Sequence, residues 1–196
     1  MIRNKLSILL AERGIKATKV ANDTGIARST LSKITNNSSE KIDYSTINTL
    51  CRYLKITPCD FFEYEPFDVS FFVSIEPSTT PIEEGPPCYP IEAFLNIEDD
   101  DGKHSIEYKG FIEEVGWATR TELIIAGHLE PASEQDVKLV DLYLSDVNQT
   151  FITDIMREFK KATMNSAQKT LSYFNSDTIH SESVITLNLF NKKKTN

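Results

Sequence analysis

The chain has 196 residues, 40% hydrophobic and 26% charged, the composition of an ordinary globular protein long enough for one large domain or two small ones. No apolar run approaches the roughly 20 residues needed to span a bilayer, the start MIRNKLSILL lacks the cleavage site of a signal peptide, and a net charge of −8 argues against a surface that binds nucleic acid all round. Three cysteines (Cys51, Cys59, Cys88) without CxxC spacing and three scattered histidines (His104, His128, His180) exclude a disulfide framework and an ordinary metal site, and point to a reduced cytoplasmic setting with no cofactor.

The charge is unevenly placed. Residues 1–66 hold ten Lys and Arg against seven Asp and Glu, a balance of +3, whereas residues 67–196 hold eleven against twenty-two, a balance of −11. Two modules follow from this sign change, one able to meet phosphate and one that avoids it. A balance of +3 is modest, so a second copy is expected to double the footprint on a polyanion.

Within residues 4–13, Leu6, Leu9, Leu10 and Ala11 recur at helical spacing, and Gly14 is a natural stop. A second helix is expected over 17–24 with Val20 and Ala21 as its apolar pair, followed by Gly25, which supplies the positive φ of a tight turn. The stretch 25–37 then places Ile26, Thr30, Leu31 and Ile34 on one stripe and Arg28, Ser29, Ser32, Lys33 and Asn36 on the other side. Short hydroxyl and long cationic donors on a rigid helix suit base edges and phosphates in a major groove. Asn36 and Asn37 end that helix, Asp43 is placed to cap another over 44–54, and Ile47, Leu50, Cys51 and Leu54 form its buried face. Thr57, Pro58 and Asp60 spell a capping box with proline at the first helical position, opening a short fifth helix that Phe61 and Phe62 pack onto the bundle.

The order of these five helices, the run VANDTGIARSTLSKI and the segment LCRYLKITPCDFFEYEP resemble the Cro/cI-type (XRE-family) helix-turn-helix domain over residues 1–66. More narrowly they resemble small bacterial and mobile-element regulators whose fifth helix opens on a Thr/Ser-Pro-x-Asp pattern. The resemblance implies double-stranded DNA as partner. It puts base-reading positions on Arg28, Ser29, Ser32 and Lys33, and phosphate contacts on Ala17, Thr18, Asn36, Asn37, Lys41 and Tyr44. Two positions depart from the pattern: Ala27 and Lys16 stand where many relatives carry a capping hydroxyl or amide.

Beyond Pro66 the pattern turns to period two. Residues 67–76 read as a strand, 77–87 as a proline-rich loop, 91–97 and 105–115 as a hairpin closing on an acidic turn, and 121–129 as a further strand. The acidic turn EDDDG has consecutive rather than alternating carboxylates and no closing glutamate, so it reads as a solvated turn, not a calcium loop. Pro131 to Ser133 opens a long helical region in which Val137, Val140, Leu144, Val147, Phe151, Ile155 and Phe159 form a stripe, widened by Leu142, Ile152 and Met156, with breaks expected near 146–150 and 165–166. The stripe packs either on the sheet of its own chain or against a second copy; for the latter the candidate residues are Val137, Val140, Leu144, Phe151, Ile155 and Phe159. Residues 183–190 alternate like a final strand.

The expected architecture is thus an all-α five-helix helix-turn-helix domain (1–66) followed by an α+β domain of antiparallel strands and a long helical segment (67–196) that serves oligomerisation or regulation. No nucleophile elbow, HExxH, phosphate loop or self-cleavage dyad is present, so no enzyme is expected. The aromatics Phe71, Phe72, Trp117, Tyr143 and Phe174 read as core in preference to a small-molecule pocket. The leading expectation is a dimeric repressor, or a higher homo-oligomer, on the near-palindromic operator of a phage or mobile-element operon, open to a protein antirepressor. The alternative is an antitoxin or adaptor whose acidic half captures a protein partner.

Overall fold

The computed structural model describes residues 1–78, 87–120, 122–170, 178–180 and 182–189. The chain divides into two compact units, Met1–Pro66 and Phe67–Asn196.

The first unit is helical. α1 (Leu6–Glu12), α2 (Ala17–Thr24), α3 (Arg28–Thr35) and α4 (Tyr44–Leu54) surround a core of Leu6, Leu10, Val20, Ala21, Leu31, Ile34, Leu50, Cys51, Leu54 and Phe61. Burying each large aliphatic side chain in such a cluster contributes about 1.5–3 kcal/mol. The expected fifth helix is a single turn, α5 (Pro58–Phe61), which runs straight into a strand. Its capping box is formed: Thr57 Oγ1 accepts from the Asp60 amide at 3.3 Å, and Asp60 Oδ2 accepts from the Thr57 amide at 2.9 Å. The helix cannot extend because β2 (Phe62–Tyr64) pairs antiparallel with β1 (Ile2–Asn4), a two-stranded sheet that the sequence did not signal. Residue 4 therefore ends a strand instead of opening α1. Asp43 occupies the N-cap position of α4, but its carboxylate makes no capping bond.

In the second unit a sheet has the strand order β3 (Asp68–Ile75), β4 (Cys88–Asp99), β5 (Gly102–Trp117), β6 (Glu122–Pro131) and β7 (Thr178–Ile179), with β8 (Val184–Leu187) also paired to β6. The hairpin arms reach further than expected because the turn is tight. Asp99 pairs with Gly102, the Asp99 carboxylate accepts the amides of Asp101 and Gly102 at 2.9 and 3.0 Å, and Gly102 takes φ 131°. Not all pairing is antiparallel: β7 and β8 run parallel to β6. The long helical excursion between them is the crossover that parallel strands require. The strand expected over 183–190 is confined to four residues, Phe190 and most of the proline-rich loop at 77–87 lie outside the described residues, and so does Thr121.

α6 (Glu134–Leu144) and α7 (Gln149–Thr170) cover one face of the sheet, on which Tyr89, Ile91, Leu95, Ile97, Ile106, Tyr108 and Ile112 are fully buried. Asn148 divides the two helices, its side-chain oxygen accepting the Thr150 amide at 3.0 Å. There is no second break at 165–166, because Thr163 and Ala167 continue the buried face of Phe151, Ile155 and Phe159 at four-residue steps. The helical stripe is consequently intramolecular. Val140, Leu144, Phe151, Ile155 and Phe159 are at most 2% exposed within the single chain and Val137 is half-buried, so these residues are not a surface for a second copy. Leu142, expected to widen the stripe, points to solvent. The aromatics do not gather either: Phe71 packs on Phe159 with ring centroids 5.4 Å apart, Phe72 and Trp117 are exposed, Tyr143 lies beside His104, and Phe174 is outside the described residues.

Candidate nucleic-acid interface

The placement of α3 starts at Gly25. Its φ of 74° closes α2, and its amide donates to Ala21 O at 3.0 Å. Thr24 fixes the turn from both sides, donating its hydroxyl to Val20 O at 2.6 Å and accepting the Ile26 amide at 3.3 Å. Leu31 and Ile34 then hold α3 in the core, and Ile26 packs against the same cluster. Thr30 departs from the expected stripe and is exposed. The outer face therefore carries Arg28, Ser29, Thr30, Ser32, Lys33 and Asn36, all exposed.

The C-terminal end of α3 is held by a residue the sequence did not single out. Asn4 is 4% exposed, and its side-chain amide donates to Ile34 O at 2.8 Å and to Asn37 Oδ1 at 2.7 Å. Asn37 replies by donating Nδ2 to Asn4 O at 3.0 Å, while its Oδ1 also accepts the Asn4 amide at 2.8 Å. The two asparagines form a reciprocal clamp between β1 and the end of α3, with Asn37 in the left-handed region at φ 49°. The Asn37 side chain, expected to meet phosphate, engages Asn4 through both its oxygen and its nitrogen, which leaves one Nδ2 hydrogen outside the clamp. A burial signal at Asn4 is invisible in sequence, because its partner lies 33 residues away.

Three helix starts in this unit are left without a capping side chain. Lys16 before α2, Ala27 before α3 and Asp43 before α4 make no side-chain cap bond. First-turn amides at such ends carry partial positive charge and favour anions. Ala17 and Thr18 start α2, and both are exposed, so Ala17 offers its backbone amide rather than its methyl group. Tyr44 begins α4 with its ring 91% exposed, and Lys41 and Asn36 are exposed. α2 and α4 are tied by Asp23, whose Oδ2 accepts from Lys19 Nζ at 2.8 Å and from the Tyr53 hydroxyl at 2.7 Å. These two hydrogen bonds hold the Asp23 carboxyl below its ordinary range.

A helix seated by two buried residues after a glycine turn, with cations and hydroxyls outward, is a helix-turn-helix arrangement. Residues 5–66 match the Cro/C1-type helix-turn-helix DNA-binding domain family, and this segment of the chain is a domain of that type. Residues of this chain are also similar to an uncharacterised HTH-type transcriptional regulator, YozG, of Bacillus subtilis (strain 168), at 29% identity over 68 residues, which is 35% of this chain and 81% of that protein. Among solved structures, one of a putative DNA-binding protein from Bacteroides fragilis aligns at 21% identity with a TM-score of 0.30, covering 32% of this chain and all of that one. No helix among the described residues is long and apolar enough to cross a membrane.

Proposed function

We propose that the chain is a sequence-specific transcriptional regulator that acts as a dimeric repressor on a near-palindromic operator of a phage or mobile-element operon, with residues 67–196 providing the contact between copies. The observation that carries this reading is the exposed row Arg28, Ser29, Ser32 and Lys33 on α3, flanked by the uncapped starts of α2 and α4. Arg28 and Lys33 are the candidates for guanine contacts, and the hydroxyls of Ser29 and Ser32 are compatible with any base. Ala17, Thr18, Asn36, Lys41 and Tyr44 are the phosphate candidates, and their role is to fix register. Two copies would place their α3 helices in successive major grooves about 34 Å apart. The adaptor reading gains nothing from the helical stripe of the acidic half, whose Val140, Leu144, Phe151, Ile155 and Phe159 are covered by the chain's own sheet.

Gel-shift titration on DNA from the gene's own promoter region tests the reading. Arg28→Ala and Lys33→Ala are each expected to weaken specific binding by about 1–3 kcal/mol, roughly 5- to 150-fold, and to relax preference at one base pair. Wild-type affinity in both variants would overturn the assignment of α3.

A further inference from the structure

The sheet of the second unit has two unequal edges. On one side lie β7 and β8, of two and four residues, too short to template a partner. On the other side lies β3, eight residues long, with no proline, a single charged residue at its start and an unbroken register to β4 from Asp68↔Glu98 to Ile75↔Ile91. Natural sheets guard edges with prolines, bulges, lysines or shortness. β3 has none of these.

We infer that two copies of this chain join by antiparallel pairing of β3 with β3, making one continuous sheet across a twofold axis; the inference rests on the dimeric DNA-binding reading above and names its interface. Strand geometry fixes the register. The Glu76 amide donates to Pro90 O at 2.9 Å, so even-numbered residues of β3 direct their backbone groups to β4 and odd-numbered ones direct them outward. One outward group is already taken, because the Thr170 hydroxyl at the end of α7 donates to Ile75 O at 3.2 Å. Among the described residues, the outward N–H and C=O groups of Val69, Phe71 and Val73 have no such partner. Pairing these three with themselves requires Phe71 on the axis and Val69 opposite Val73 of the second copy.

The side chains agree with this register. Phe72, on the face of the sheet away from the helices, is 61% exposed and pairs with the ring of Phe94 at 6.3 Å; it would lie against Ser70 of the second copy. Asp68 would fall opposite Ser74, so no like charges meet on the strand. The two Asp68 residues would be six residue steps, about 20 Å, apart. The two chains then enter the paired strands from opposite ends.

Analytical ultracentrifugation of the full chain without DNA tests the interface. The wild type is expected at twice the chain mass of 22.2 kDa. A Val69→Pro/Val73→Pro variant removes only outward amides, keeps the β4 ladder, and is expected to sediment as a monomer with an unchanged circular dichroism spectrum. Should the prolines unfold the sheet, Ser70→Lys/Phe72→Lys decides, since it leaves the backbone intact and sets lysines opposite each other across the axis; its dimer dissociation constant is expected to rise at least about tenfold and to recover partly in high salt. A monomeric wild type, or folded variants that keep the dimer mass, would overturn the inference. Loss of sequence-specific DNA binding in a wild type that still dimerises would instead sink the regulator reading and leave the interface standing.

Discussion

Asn4 and Asn37 anchor the end of α3 to β1 through a reciprocal pair of side-chain amides. Asn4 spends its whole amide inside the protein, on Ile34 O, Asn37 Oδ1 and the Leu6 amide. Asn4→Ala would leave buried partners unsatisfied, at about 1–3 kcal/mol. It is expected to lower the melting temperature and to weaken operator binding together, because the end of α3 loses its anchor. In Asn37→Gly glycine takes the left-handed backbone without strain, so a loss larger than the roughly 0.5–1 kcal/mol of glycine's unfolded-state entropy reports the clamp. Calorimetry beside gel shifts on both variants checks this; an Asn37→Gly protein as stable as wild type would show that the amide pair contributes nothing. The shared exposed face of Arg28, Ser29, Ser32 and Lys33 was legible in sequence because helical periodicity puts them together. The clamp was not, because two asparagines at helix boundaries look like ordinary start and stop signals.

Helix α2 spans in the structure the residues read for it, since Gly25 is an unambiguous stop, and the Thr57 capping box forms because proline and aspartate leave little alternative at that spacing. Properties that depend on distant residues were hidden: the three-residue strands β1 and β2, the parallel direction of β8, and the continuity of α7 through Asn165 and Ser166, where burial of Thr163 and Ala167 overrides weak helix propensity. Two links between elements lend themselves to measurement. Asp23 joins α2 to α4 through hydrogen bonds from Lys19 and Tyr53, which depress its pKa below the ordinary 3.8. A depressed carboxyl stabilises the fold above its unfolded pKa and loses that contribution as pH falls through the folded value. Asp23→Asn should therefore melt below wild type at pH 7, with the gap closing in melts carried well below pH 3.8; a gap independent of pH would exclude the ionised carboxylate as its source. In the second unit Asp136 joins α6 to β5, accepting the Glu107 amide at 2.9 Å while sharing its other oxygen with Ser133. Asp136→Ala is expected to cost about 2 kcal/mol, and Ser133→Ala, which loses the cap and its bond to the Asp136 carboxylate but keeps the link to β5, about 1 kcal/mol. Denaturant titration that ranked them in the opposite order would mean that the cap, and not the bond to the strand, positions α6.

For the molecule as a whole, the balance of +3 on residues 1–66 and −11 beyond them bears on how it holds DNA. With the proposed phosphate contacts all on the first unit, the salt dependence of binding is expected to report that unit. Arg28, Lys33 and Lys41 are the three exposed cations per copy among the proposed DNA contacts. Six in a dimer predict a slope of log affinity against log salt of about −5, and roughly a thousandfold loss between 50 and 200 mM salt. Lys41 is the informative position because it is assigned to phosphate and not to a base. Replacing it with glutamine removes one contact per copy, weakening binding to all sequences alike and reducing the slope by about one for each copy on the DNA. A fall in slope of about two therefore counts two subunits on the operator, and a fall of about one counts a single subunit. Filter-binding isotherms of wild type and Lys41→Gln over that salt range make the count without any assumption about the surface that joins the copies. An unchanged slope would remove Lys41 from the interface and shift the phosphate contacts onto the uncapped amides of α2 and α4 and the ring hydroxyl of Tyr44.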